Sequence, residues 1–296
     1  MRFSGIAAWS WLALALALGS APAAPLDANS AEAMNRPLAP FRISDEIYYV
    51  GTADLGIYLI KSDAGDILLD SGYAQTVPEI LANLHTIGVD PKDVKFLLNS
   101  HAHSDHAGGF ATLRQITGAR LLASRADSVL LARGGRDDPN YANRFLFTPI
   151  KVDGYVSDGD AVSLGRMTLT AHLTPGHTKG CTTWTMPAHI AGKTYAALFL
   201  CSVSAPGYRL VGNAAYPDIV ADYEHSFAVL KGLPCELFLG AHGRMFDLGR
   251  KREEMLKTGS AMVFVDPAGC RQHLDQAEAS LKKEVAEQSR KDPRLR

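Results

Sequence analysis

Short runs rich in Ile, Tyr and Leu alternate with turn residues from residue 47 onward. Residues 47–50, 56–61 and 66–69 read as strands, the last two separated by Ala64-Gly65 and the third closed by Asp70-Ser71-Gly72. Between 76 and 87 the period changes: Val77, Ile80, Leu81, Leu84 and Ile87 fall on one side of a helix. A continuous apolar run over 94–98 predicts a buried strand. A helix over 109–117, a strand over 121–123 and a helix over 126–132 follow. Residues 134–160 are rich in Gly, Asp and Pro and carry Tyr141, Phe145, Phe147 and Tyr155. They predict a long loop whose rings either cover an apolar ligand face or pack inward. Strands resume over 161–164, 167–173, 181–186 and 196–200. A helix over 222–230, a strand over 236–239 and helices over 251–258 and 271–288 complete the chain. Strands followed by helices occur twice with no break in composition. The pattern predicts an α/β fold, one domain over 39–296 in four layers: helix, sheet, sheet, helix.

The N-terminus does not share this pattern. Arg2, an uncharged apolar run over 6–18 and the small residues Ala21-Pro22-Ala23 predict a secretory signal peptide over 1–23. The run is short for a membrane span, and no Cys follows it for lipid attachment. Residues 24–38, rich in Ala, Pro and Asn, predict a loose arm. The expected location is the periplasm, with no membrane contact after cleavage. Export leads to an oxidising compartment, where the four cysteines Cys181, Cys201, Cys235 and Cys270 can pair. At 296 residues and 47% hydrophobic content the chain builds a core without help from a metal, so a ligand cluster in it points to catalysis. The net charge of −1 and the scattered Lys and Arg argue against a nucleic-acid partner. A monomer is the default expectation.

The decisive motif is His101-Ala102-His103-Ser104-Asp105-His106, at the end of a predicted strand and ahead of Gly108-Gly109. His101 and His103, two apart in extended backbone, lean to one side and can grip one metal. Asp105 and His106 lie past the bend and reach a second position. Imidazole with a single carboxylate suits Zn²⁺. His177, in Pro175-Gly176-His177-Thr178, and His242, in Gly240-Ala241-His242-Gly243, also follow apolar strands beside glycine. The remaining histidines lack that setting. His85, His225 and His273 fall on helices, His172 in a strand and His189 in a turn, and each reads as an ordinary solvated or hydrogen-bonded side chain.

This set, with Asp70-Ser71-Gly72, resembles the metallo-β-lactamase superfamily over about residues 42–265. The resemblance implies an αββα sandwich with the metals at one edge between the sheets. It implies two Zn²⁺, one held by His101, His103 and His177 and the other by Asp105, His106 and His242. Asp105 also orients the metal-activated water that attacks the substrate. Many hydrolases of the superfamily place an Asp that bridges both metals after the strand following the His177 segment. Ser202 aligns there, and serine is a poor ligand. With His106 retained, the pattern is similar to the third subclass of class B. That subclass implies hydrolysis of β-lactam amide bonds and resistance to those antibiotics, with small-molecule β-lactams as partners.

Ser202 and Ser204 then meet the substrate carboxylate, and Cys235 pairs with Cys270. Cys201, one residue before Ser202, reads as a small buried residue, with a metal-ligand role or a bond to Cys181 as alternatives. Asp70 supports the metal site or only caps its turn. Arg244, where some members have His-Pro, reads as a surface arginine. The competing functions are a thioesterase, lactonase or glyoxalase II-like hydrolase, and a non-catalytic metal-binding protein.

Overall fold

The computed structural model describes residue 1 and residues 30–291; residues 2–23 of the expected signal peptide lie outside them. Seven strands form the first sheet, in chain order: β1 (Phe41–Arg42), β2 (Ile47–Tyr49), β3 (Tyr58–Ser62), β4 (Gly65–Leu69), β5 (Val94–Leu98), β6 (Arg120–Ser124) and β7 (Gly154–Val156). Strands β1 to β4 are antiparallel neighbours, whereas β4 to β7 run parallel. The second sheet contains β8 (Ala161–Leu164), β9 (Met167–Leu173), β10 (Thr182–Ile190), β11 (Lys193–Leu200) and β12 (Leu237–Gly240). In it β8 to β11 are antiparallel neighbours and β12 lies parallel to β11.

Alternation of side chains along the strands produces the layers. In β3 to β6 the set Tyr58, Ile60, Ile67, Leu69, Leu98 and Leu122 faces the second sheet, where the Tyr58 ring meets Phe199 with centroids 5.0 Å apart. Their neighbours Leu59, Leu68, Leu97 and Leu121 turn to the outer core. There they meet helices α2 (Val77–Thr86), α4 (Phe110–Thr117) and α5 (Arg125–Arg133), a one-turn helix, α3 (Ser104–Ala107), preceding α4. Helices α6 (Ile219–Gly232), α7 (Leu248–Thr258) and α8 (Pro267–Lys291) back the second sheet, Phe238 of β12 reaching Phe246 and His273. The four-layer sandwich expected from the pattern is present. No helix among the described residues is long and apolar enough to cross a membrane.

Two expectations change. The loose arm is docked from residue 30: Ser30 caps the short helix α1 (Ala31–Met34), Met34 is buried, and Thr52 donates to the Met34 carbonyl at 2.7 Å. Its partners lie far away in sequence, so composition alone read the segment as free. The long loop over 134–160 contains β7 and folds back on α5, with Phe147 and Ile150 donating to Gly134 and Leu131. Its two phenylalanines divide the alternatives: Phe147 packs against the outer core, and Phe145 stays exposed at a cleft.

Both cysteine pairs are bonded. Cys235 joins Cys270, as the resemblance implies, with Cα atoms 6.5 Å apart. Cys201 is neither a lone buried thiol nor a ligand: it is bonded to Cys181, Cα atoms 6.0 Å apart. Strands β10 and β11 are antiparallel neighbours, and their paired ends bring the two residues together. The 35-residue separation of Cys235 and Cys270 closes a long loop. Replacing both by Ser is expected to lower the unfolding free energy by about 3–4 kcal/mol in the chain-entropy picture, read from urea denaturation of oxidised wild type and variant.

Candidate metal centre

The polarity of the strands brings the predicted residues together. The C-terminal ends of the parallel strands β4, β5 and β6 lie at one edge of the first sheet. Asp70 follows β4 and the His101–His106 segment follows β5. In the second sheet β9, β11 and β12 run the same way, and His177, Ser202 and His242 follow them. The segment after β5 is also tied to the second sheet: Trp184 donates to the Asn99 carbonyl at 3.2 Å and the Thr182 amide to the Ser100 carbonyl at 2.8 Å. His103 stands in extended backbone just before α3, which carries Asp105 and His106. Gly176 has φ 133°, and a side chain there would run into the Tyr223 ring. Glycine therefore lets the chain turn His177 inward.

The donors fall into two triads. His103 Nδ1 and His177 Nε2 are 3.1 Å apart, and His101, His103 and His177 offer ligand atoms within 4.8 Å of one another. Alongside, His106 Nε2 and His242 Nε2 are 3.2 Å apart, with Asp105 Oδ2 at 3.3 Å from the first and 3.6 Å from the second. The His101 and His106 rings, with centroids 4.1 Å apart, join the two groups. The third cluster of candidate donors, His101 with Cys181 and Cys201, is not a metal site, because its sulfurs are bonded to each other.

The outer nitrogens test whether a cation fits. His177 Nδ1 donates to the Ser204 carbonyl at 2.7 Å, His106 Nδ1 faces Asp70 Oδ2 at 3.2 Å, and His242 Nδ1 faces Asp54 Oδ2 at 3.0 Å. His103 Nε2 lies 3.3 Å from Asp138 Oδ2. Acceptors on the outside favour tautomers whose lone pairs point inside. Ring nitrogens confront each other across both triads, and buried His101 Nε2 and His103 Nε2 have no hydrogen-bond partner. Cations between the rings satisfy these nitrogens, so the residues fit a divalent metal.

Electrostatics agree. Burial, reinforced by the neighbouring histidines, pushes the His101 and His177 imidazoles well below their usual range, which keeps them neutral as ligands must be. His106 differs: burial opposes its charge, but Asp105 and Asp70 outweigh burial and raise its pKa to about 10, so this ring must lose a proton to bind a cation. Burial would likewise raise the Asp105 carboxyl, yet the histidines around it hold it far below the usual carboxylate range.

Sequence reasoning missed Asp54, Asp138 and Ser100. None lies in the histidine motif, and each is recruited by its outward contact. Asp70 takes both suggested roles. It has φ 65° at the turn, accepts from the Ser100 amide and hydroxyl at 2.7 and 2.6 Å, and faces His106. Arg244 is exposed, as expected, and it also borders the cleft, its guanidinium 2.7 Å from Asp54 Oδ2. His273 also lines the cleft, against Phe238. Ser204 lines the cleft, whereas Ser202 is buried behind it with the hydroxyls 3.1 Å apart. Two residues apart, they share one side of the chain, with Ser204 further toward solvent. The cleft, about 720 Å³, also exposes Tyr73, Tyr141 and Phe145. Asp54→Ala is expected to weaken metal binding at the His106–His242 position about 10- to 100-fold, measured by competition with a chromogenic chelator. An unchanged affinity contradicts the role given to Asp54.

The Metallo-beta-lactamase superfamily profile matches residues 57–189. The native FEZ-1 metallo-β-lactamase of Legionella gormanii is 44% identical, covers 86% of this chain and 98% of its own, and superposes with a TM-score of 0.83. BJP-1, a subclass B3 metallo-β-lactamase of Bradyrhizobium japonicum, is 38% identical, with coverage of 86% and 97% and a TM-score of 0.82. Among curated relatives, a hydroxyacylglutathione hydrolase of Maricaulis maris is 32% identical over 120 residues, 40% of each chain. The bovine mitochondrial persulfide dioxygenase ETHE1 is 27% identical over 106 residues, 36% of this chain and 34% of its own. The chain thus spans about two-fifths or less of the length of these two curated relatives. Near-complete coverage of solved members at this identity, together with the two facing triads, shows that the chain belongs to the metallo-β-lactamase superfamily, alongside subclass B3 members.

Proposed function

We propose that the protein is an exported hydrolase that opens the amide bond of β-lactams with two zinc ions, and so confers resistance to them. The observation that carries the reading is the pair of adjacent triads, His101/His103/His177 and Asp105/His106/His242, at the floor of one cleft. Similarity over nearly the full length of subclass B3 structures supports the substrate class. Bound zinc supplies a Lewis acid and lowers the pKa of water to about 7, so that a nucleophile is present at neutral pH.

The chain's own groups do the rest. Asp105 Oδ2 faces His106 and His242, and the second carboxylate oxygen orients the attacking water. The Ser204 hydroxyl, at the cleft wall and backed by Ser202, receives the substrate carboxylate. Tyr141 and Phe145, with centroids 5.0 Å apart, form an apolar wall for the rest of the substrate. Ser204 is not a nucleophile. Its hydroxyl meets Ser202, and the nearby His177 Nδ1 is already committed to the Ser204 carbonyl, so the Ser–His pairing of covalent catalysis is not formed. Ser202, where a bridging Asp would stand, argues against a hydroxyacylglutathione hydrolase activity.

Purified protein is expected to hydrolyse a chromogenic cephalosporin and a carbapenem and to lose that activity to a zinc chelator. His103→Ala is expected to lose at least 100-fold in kcat/KM while staying folded by circular dichroism, about 3 kcal/mol of transition-state stabilisation. Chelator-insensitive turnover sinks the zinc mechanism. Hydrolysis of thioesters or lactones without any β-lactam turnover transfers the site to the competing hydrolase.

A further inference from the structure

Asp127 lies in the first turn of α5, where Ser124 Oγ caps its amide at 3.2 Å. Its side chain is 1% exposed and touches none of the six donor residues of the metal centre through a hydrogen bond. An isolated carboxylate is costly to bury and gives a core little stability of its own. Its contacts show what it does instead. Oδ2 accepts from the Ala102 amide at 2.8 Å and from the Thr178 hydroxyl at 2.9 Å, and Oδ1 accepts from the Gly180 amide at 2.9 Å. Ala102 sits between His101 and His103, and Thr178 follows His177. One oxygen therefore holds two turns that come from different sheets.

A second observation supports the clamp. The backbone at Gly180 passes so close to α5 that a Cβ would overlap Ser124 Oγ and the Asp127 amide and carboxylate. The Ser124 hydroxyl donates to the Gly180 carbonyl at 2.7 Å, which fixes the same approach from the other side. Glycine at 180 thus allows the His177 turn to reach a carboxylate that already holds the His101–His103 turn.

We propose that Asp127 is a positioning residue of the first metal position: it sets the separation of the His101–His103 turn from the His177 turn, and with it the affinity for the metal. This rests on the reading that these three histidines hold zinc. The physical ground is that ligands from two separate turns must meet at one point, with His103 Nδ1 and His177 Nε2 3.1 Å apart. The separation of the two turns is set by what joins them outside the triad. A site already at binding distance spends less of the metal's affinity on drawing its ligands together.

The test compares wild type, Asp127→Asn and Thr178→Val by zinc competition with a chromogenic chelator, and by thermal unfolding with and without zinc. In Asp127→Asn the new amide group faces one of three donors, so a clamp bond is lost at nearly constant size. Its affinity for the tighter-held equivalent of zinc is expected to fall about 10-fold or more. Thr178→Val, which removes one donor and keeps the carboxylate, is expected to shift in the same direction by a smaller factor. A purely structural role lowers the melting temperature of the metal-free protein and leaves zinc affinity within about twofold of wild type, and that result overturns the proposal. If Asp127→Asn does not fold, full zinc affinity in Thr178→Val overturns it equally. Wild type that binds no zinc brings down the metal reading itself, and the proposal with it; wild type that binds zinc alongside an unaffected pair of variants brings down the proposal alone.

Discussion

The fold is organised around the crowding of imidazoles at one buried point. Imidazole nitrogens face one another at 3.1 Å across one triad and 3.2 Å across the other, inside a protein that shields them from water. The outer edges of His177, His106 and His242 meet Ser204, Asp70 and Asp54, and Asp138 stands 3.3 Å from His103. Positive charge between the rings satisfies their inner edges. The sandwich supplies the rigidity that keeps them close: two sheets, each buried on both faces, whose parallel strands deliver their ends to one edge. Function and packing are thus linked, since the layers that bury the core also hold the crowded rings together.

The second level of the site consists of acidic groups at distances that suit their partners. Asp70 joins the turn after β4 to the segment after β5 and then to His106. Asp54 does the same for His242, and it is itself balanced by Arg244. Asp138 reaches back from the long loop to His103. Each carboxylate holds the orientation of the ring it faces, and Asp70 also helps to raise the basicity of His106. They also explain why the loop after α5, irregular for most of its length, stays packed: it is anchored to the metal centre at one end and to α5 at the other.

The cleft above the two triads is built from unlike parts. Ser204 and His177 rest on strand ends stapled by the Cys181–Cys201 bond, so the polar side of the cleft is held firmly. Tyr141 and Phe145 come from the loop, and Phe145 is partly in solvent. These rings and the docked segment around Met34 line the same cavity.

The sequence by itself determined the sandwich and singled out the six histidine and aspartate residues proposed as donors. Both are local signals: a period of two or 3.6 in apolar residues, and side chains placed at strand ends beside glycine. Strand polarity then makes those ends meet, as His101, His177 and His242 do after β5, β9 and β12. Only the tertiary structure decided that Asp54 and Asp138 lie against His242 and His103 and Asp127 against the turns beside them, that Ser202 is buried while Ser204 faces the cleft, that Cys181 bonds Cys201, and that the segment from Ser30 is docked. Each of these depends on contact between residues distant in the chain or on which face a strand end presents. An isolated aspartate or cysteine carries no periodicity, so nothing local distinguishes one that holds a ligand in place from one that merely meets water.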